Sequence, residues 1–296
     1  MRIVSLVPHA TELLFALGLG DQVVGVTHEC DHPPAALDVR RVTRDVLPAG
    51  LSAGQIDAAV RERVADGRAI YELDEEAVRD LEPDLIVTQA LCAVCAVSYD
   101  EVAELARDLP GRPRVLALDP RTYGETLGDV RTIAQATGAR DAALELVVRS
   151  ARRVDAVRLA VRGRRRPRLV ALEWLDPPYV AGHWVPQLVE MAGGEDVLGL
   201  AGERSEETTW ESVRAVQPDL LVVMPCGLDA ERAQAEALAH ADDLRAVGAG
   251  EVVAVDAGGL FSRPGPRLVD ALEVLAHLLH PDLVPASPGP ILPVAL

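Results

Sequence analysis

The sequence predicts an α/β protein built as two similar lobes, each around a parallel sheet, with a long helical stretch between them. Three observations carry this. Short, almost wholly apolar runs alternate with helical patterns, as expected of strands covered on both faces by crossover helices. A block of the first half returns 135 residues later: Glu76 to Arg79 followed by Pro83-Asp84-Leu85-Ile86-Val87 reappears as Glu211 to Arg214 followed by Pro218-Asp219-Leu220-Leu221-Val222. Between the copies, residues 125–162 are rich in Ala, Arg, Val, Leu, Asp and Glu, have glycine only at Gly128 and Gly138, and contain no proline.

The elements follow in order. The run Ile3–Val7 reads as the first strand and stops at Pro8, whose fixed φ suits the first turn of a helix ending at Gly18-Leu19-Gly20. Val23–Thr27 is the second strand. Leu85–Thr88 is the third, and the Pro83 before it ends a helix. Val115–Leu118 is the fourth. Residues 125–162 form one or two helices with a long final segment from Asp141, closed by Arg162, Arg164, Arg165, Arg166 and Arg168, cations suited to a helix C-terminus. The second half supplies strands at Leu169–Leu172, Leu220–Met224 and Val252–Val255, the last matching the fourth strand. The boundaries expected are 1–124 for the N-terminal lobe, 125–166 for the linking helix region, 167–280 for the C-terminal lobe and 281–296 for a Pro-rich, extended tail.

Among 296 residues, 29 Lys+Arg stand against 46 Asp+Glu, for a net charge of −17; all 29 cations are Arg, and Lys and Asn are absent. Such a body is repelled by nucleic acid and by anionic membrane surfaces. Without lysine, neither a P-loop lysine nor a lysine Schiff base is available. No apolar run reaches the roughly 18–20 residues of a membrane span, so membrane insertion is not expected. The start Met1-Arg2-Ile3-Val4 enters a strand pattern directly rather than a leader pattern. The expectation is a cytoplasmic protein with four cysteines as thiols or metal ligands rather than disulfides.

Ligands of open parallel sheets gather at the carboxyl ends of the strands. The first strand leads to His9, the second to His28, Glu29 and Cys30, and the third to Gln89, Cys92 and Cys95. In the second half Glu173 and Trp174, then His183 and Trp184, then Cys226, then Phe261 and Arg263 follow strands. All four cysteines fall in these loops. Cys92 and Cys95 have the C-x-x-C spacing that chelates one tetrahedral ion or two irons of a cluster. Cys30, Cys92, Cys95 and Cys226 are therefore candidate ligands for zinc or an iron–sulfur cluster, against the alternatives of small buried residues or a redox dithiol. Only 3% of residues are aromatic, yet Trp174, Trp184 and Phe261 sit in these loops, which suits a flat, ring-rich ligand or else a lid packed on its own lobe. Arg263 lies just before the last helix, where free backbone N–H groups favour an anion or the turn is merely structural.

The opening Ile3-Val4-Ser5-Leu6-Val7-Pro8-His9-Ala10-Thr11-Glu12, followed by Leu17-Gly18-Leu19-Gly20-Asp21-Gln22-Val23-Val24-Gly25-Val26, resembles that of the cobalamin and iron-siderophore periplasmic-binding family. The resemblance extends to about His280 and is greatest to a leaderless, cobalamin-binding-like subgroup. It implies two Rossmann-like lobes joined by a long linking helix, with one ligand in the cleft. It also implies that a glutamate on each lobe docks an ABC permease; by the family motif these are Glu76 and Glu211.

Two functions are expected from these readings. One is a soluble binding protein for a corrinoid, such as cobalamin, or another metal chelate. It would have His9 or His28 as axial ligand, the three aromatics stacking, and Glu29, Gln89, Glu173, His183 and Arg263 lining the ligand. The other is a metal- or Fe–S-dependent enzyme on the same scaffold, acting on a small molecule.

Overall fold

A computed structural model describes residues 1–48, 50–66, 70–89, 97 and 99–296. The chain divides into two compact units: Met1–Pro120 with Glu125–Val147, and Arg121–Gly124 with Val148–Leu296.

In the first unit the elements are β1 (Ile3–Ser5), α1 (Pro8–Ala16), β2 (Val23–Val26), β3 (Arg40–Arg41), β4 (Thr43–Asp45), α2 (Ala53–Ala65), β5 (Tyr71–Leu73), α3 (Glu75–Asp80), β6 (Leu85–Gln89), α4 (Tyr99–Asp108) and β7 (Arg114–Leu118). Five strands form one sheet in the order β3-β2-β1-β6-β7, every pair parallel. The chain moves outward from β1 to β3, then returns to β6 on the other side of β1, which makes a topological switch point between β1 and β6. The alternation of side chains splits each strand between two cores. Ile3 and Val87 pack with Leu13, Leu14 and Ile133 on one face, while Val4 and Ile86 pack with Val78, Val102 and Leu105 on the other. Outside this sheet, β4 and β5 pair antiparallel as a ribbon, Thr43 opposite Leu73 and Asp45 opposite Tyr71.

The helical stretch is two helices, α5 (Tyr123–Thr137) and α6 (Arg140–Ala160). The break falls at Gly138, whose φ of +81° is the left-handed conformation that ends helices and that a side chain would disfavour. Its N–H closes the last turn on the Ala134 carbonyl at 2.9 Å.

The second unit contains β8 (Arg168–Leu175), β9 (Pro178–Val180), α7 (Val185–Met191), β10 (Glu195–Asp196), β11 (Glu206–Glu207), α8 (Trp210–Ala215), β12 (Leu220–Val223), α9 (Ala230–Ala239), α10 (Ala241–Val247), β13 (Glu251–Val255), α11 (Leu268–Leu279) and β14 (Ile291–Pro293). Its sheet runs β11-β9-β8-β12-β13-β14, with β10 beside β8. The strands β8, β12 and β13 are parallel as expected; the unforeseen β10 adds a further parallel pairing to β8, and β9, β11 and β14 add antiparallel ones. The Pro-rich tail ends as one of those edges, with Leu292 opposite Ala254 and Val294 buried beyond it. No helix among the described residues is long and apolar enough to cross a membrane.

Candidate functional site

In the first unit the expected residues separate by depth. His9 is only 3% exposed, in the first turn of α1. Gln89 is buried at the end of β6. Cys30 is 1% exposed and belongs to the core, its Sγ 3.1 Å from both the Thr11 and Thr27 hydroxyls. The Thr11 hydroxyl continues the chain of contacts by donating to Ser5 Oγ at 2.8 Å. A thiol held in this way anchors the loop rather than facing a ligand.

His28 and Glu29 lie between these anchors and are half-buried. Three residues from later in the chain, Arg41, Thr43 and Tyr71, hold the loop. The Arg41 guanidinium donates from Nη1 to the carbonyls of Thr27 at 2.9 Å and Cys30 at 2.7 Å. Thr43 Oγ1 accepts the His28 backbone N–H at 3.1 Å and lies 2.8 Å from its Nδ1. The Tyr71 hydroxyl donates to Glu29 Oε1 at 2.9 Å, and its ring stands 5.0 Å from the His28 ring, tilted by 59°. Cys92 and Cys95 lie outside the described residues. Among the described residues no group of three or more His, Cys, Asp or Glu is placed to hold a metal ion. The expected zinc or iron–sulfur centre therefore finds no support there.

The second unit shows the same separation. A register shift between Leu172 and Trp174 sets Glu173 at a bulge in β8, where a strand re-aims its side chain. Ser205 donates its hydroxyl to the Glu173 carboxylate and accepts the Gly182 N–H at 3.2 Å. His183 has a φ of +54°, unusual for a residue with a Cβ. It is held there by its carbonyl, which accepts the Gly202 N–H at 2.8 Å, and by its ring, 5.5 Å from that of Trp184. Trp184 and Phe261 were expected to stack on a ligand. Instead they are 5% and 3% exposed, and Trp184 Nε1 donates to the Phe261 carbonyl at 2.8 Å. The same pair thus packs this unit, while Trp174 stays half-exposed with its Nε1 on the Asp176 carbonyl at 3.1 Å. Cys226 is exposed, and its backbone N–H reaches the Glu173 carbonyl at 3.1 Å. Arg263 is partly buried, one residue after Ser262, whose Oγ accepts the Gly227 N–H at 3.3 Å.

Glu76 and Glu211 are exposed at the second position of α3 and α8. Each helix has a side-chain cap of its own, Asp74 accepting from the Ala77 N–H at 2.9 Å and Thr209 from the Ser212 N–H at 3.1 Å.

Two carboxyls are perturbed. Burial pushes Asp129, on α5, up to about 7, helped by the neighbouring charges of Asp119 and Glu125. Burial also pushes Asp196 up to about 6, against the opposing hydrogen bonds from the N–H groups of Gly199 and Leu198.

Arg41, Thr43, Tyr71 and Ser205 escaped the sequence reading. Each is an ordinary polar residue on a short strand or loop, and its role depends on a partner far away in the chain.

Comparison with known proteins adds the family. Residues 3–257 match the family described as Periplasmic binding protein. The vitamin B12-binding protein of Vibrio cholerae serotype O1 is 24% identical over 284 residues, covering 94% of this chain and 88% of that protein. An uncharacterized ABC transporter substrate-binding lipoprotein of Bacillus subtilis, YvrC, is 27% identical over 293 residues, covering 95% of this chain and 80% of that one. Among solved structures, the periplasmic heme binding protein HutB of Vibrio cholerae shares the fold with a TM-score of 0.70 and 21% identity, covering 95% of this chain and 99% of that one. These matches correct the expectation of a cytoplasmic protein: the matched family is periplasmic and the Bacillus relative is a lipoprotein, which points outside the cytoplasm.

Proposed function

This chain belongs to the periplasmic binding protein family, and on that premise we propose that it is the substrate-binding component of an ABC importer whose cargo is a metal-bearing macrocycle of the corrinoid or heme class. The observation that carries the reading is the match along 94% of the chain to a vitamin B12-binding protein. The solved heme-binding relative shares the fold, which supports keeping heme beside the corrinoids as a ligand class. The chemistry at the strand ends agrees: the half-buried His28 and Glu29 sit on a loop after β2, and the half-buried Glu173 and Trp174 at the end of β8, all held by hydrogen bonds, the rigid presentation that lowers the entropic cost of binding. Glu76 and Glu211 serve as the permease contacts, one in each unit.

The test is titration of the tag-free chain with cyanocobalamin, aquocobalamin and hemin, followed by tryptophan fluorescence and calorimetry. Saturable binding of one class at micromolar Kd or tighter is expected; no binding of any of the three overturns the reading. With the cognate permease in vesicles, Glu76→Arg with Glu211→Arg is expected to keep ligand affinity and lose stimulation of ATP hydrolysis.

A further inference from the structure

We infer that His28 selects among such ligands by coordination: its Nε2 takes the exchangeable axial position of the bound metal, with Thr43 as the positioning residue behind it. This rests on the reading of the chain as a metal-macrocycle binder and narrows the cargo to chelates that have an axial site open to exchange.

Three features of His28 carry the inference. First, it lies two residues past β2, at the carboxyl end of the sheet where ligands of such folds are held. Second, its two ring nitrogens are in different situations. Nδ1 is 2.8 Å from Thr43 Oγ1, whereas Nε2 has no hydrogen-bond partner among the described residues. A histidine that ligates a metal through one nitrogen characteristically gives its other N–H to an oxygen, which fixes the tautomer and the ring direction. Thr43 Oγ1 is such an oxygen, and the strand β4 that carries it is itself fixed by pairing with β5. Third, the ring has little freedom to turn away. The His28 backbone N–H is tied to the same hydroxyl at 3.1 Å, and the Tyr71 ring flanks it at 5.0 Å. Arg41 and the buried Cys30 fix the loop on either side. His9, in the first turn of α1, is buried at 3% exposure and does not present a nitrogen in this way.

The step is a ligand exchange. The Nε2 lone pair forms a bond to the metal, a metal-bound water leaves as neutral water, and no electron is transferred. The Nδ1 proton stays in its contact with Thr43.

The tag-free full-length chain is titrated with aquocobalamin, whose axial water exchanges, with cyanocobalamin, whose cyanide does not, and with hemin, each followed in the visible spectrum. The wild type is expected to bind aquocobalamin at least tenfold more tightly than cyanocobalamin and to shift its visible bands; if hemin is the class bound, its Soret band shifts to that of an imidazole complex. His28→Ala is expected to abolish the spectral shift and the preference for aquocobalamin over cyanocobalamin. Thr43→Val is expected to weaken the shifted complex several-fold and to move its visible bands, and Thr43→Ser to restore both, the band position being a readout that loss of the backbone hydrogen bond alone would not move. Binding with the same spectrum and affinity in wild type and His28→Ala overturns the inference and leaves the binding reading standing. Binding of none of the three ligands overturns both.

Discussion

Arg2 and Arg168 do the same work in the two units. Each donates its backbone N–H to the aspartate of a Pro-Asp pair, Asp84 at 2.7 Å and Asp219 at 2.9 Å. Each also sends its guanidinium to the carbonyl just past the preceding short helix, Leu81 at 2.6 Å and Val216 at 2.7 Å. The strands that follow pair in matching register, Ile3 with Leu85 and Leu169 with Leu220. The residues before the two prolines, Glu82 and Gln217, both have a positive φ, +40° and +46°. The repeat seen in the sequence is thus a repeated clasp that ties together the amino-terminal starts of two neighbouring interior strands in each sheet. Asp84→Ala and Asp219→Ala are each expected to cost about 1 kcal/mol, the size of an exposed charge-assisted hydrogen bond. Urea denaturation of the two single variants should show losses of similar size.

A second clasp holds α6 on α11. Arg153 donates from Nε to Glu273 at 2.8 Å and from Nη2 to Asp270 at 2.5 Å and Glu273 at 2.6 Å. Those carboxylates hold its guanidinium pKa above the usual range. Because the group is partly exposed, solvent screens the attraction, and Arg153→Ala is expected to cost about 1–2 kcal/mol. The loss should shrink in 1 M salt, and chemical denaturation at two ionic strengths measures it.

The perturbed carboxyls set a pH dependence. In the fold Asp196 titrates near 6 and Asp129 near 7, both above the 3.8 expected for the unfolded chain. The folded state therefore favours the protonated forms. The stability they contribute is complete below about pH 4 and is lost as pH rises through 6 and 7. Asp196→Asn is expected to gain about 1–3 kcal/mol over the wild type at pH 8 and little at pH 4. Asp129→Asn should raise the melting temperature in the same direction. Melting curves from pH 4 to 8 that run parallel for wild type and variants would refute this.

The aromatics divide by exposure. Trp184→Phe breaks a buried hydrogen bond to the Phe261 carbonyl and removes packed volume. It is expected to lower stability by about 1–3 kcal/mol. Trp174→Ala should leave the melting temperature almost unchanged and weaken ligand binding about tenfold. Paired melting and fluorescence titrations separate the two effects.

Gly182 has no room for a side chain. A Cβ there would lie 2.5 Å from the Arg204 carbonyl carbon and 2.6 Å from Glu203 O and Ser205 N, all backbone atoms that cannot rotate aside. Gly182→Ala is expected to cost about 3 kcal/mol and to free the Glu173–Ser205 contact. Thermal melting checks the cost.

The seven strands expected from apolar runs are all present, because a strand covered on both faces writes its burial into consecutive residues. The short edge strands were not foreseen, since two or three residues such as Arg40–Arg41 or Glu206–Glu207 carry no period. The placement of His28 at a strand end was legible for the same local reason. What the chain order alone determined is the pair of α/β units and the loops that leave their strands. The tertiary structure decided which side chains on those loops are open: His28 meets Thr43 and Tyr71 across 15 and 43 positions of sequence, Cys30 sinks between Thr11 and Thr27, and Trp184 closes on Phe261. Periodicity records burial along one element, whereas the facing of a single loop side chain is set by hydrogen bonds and packing from elements remote in the chain.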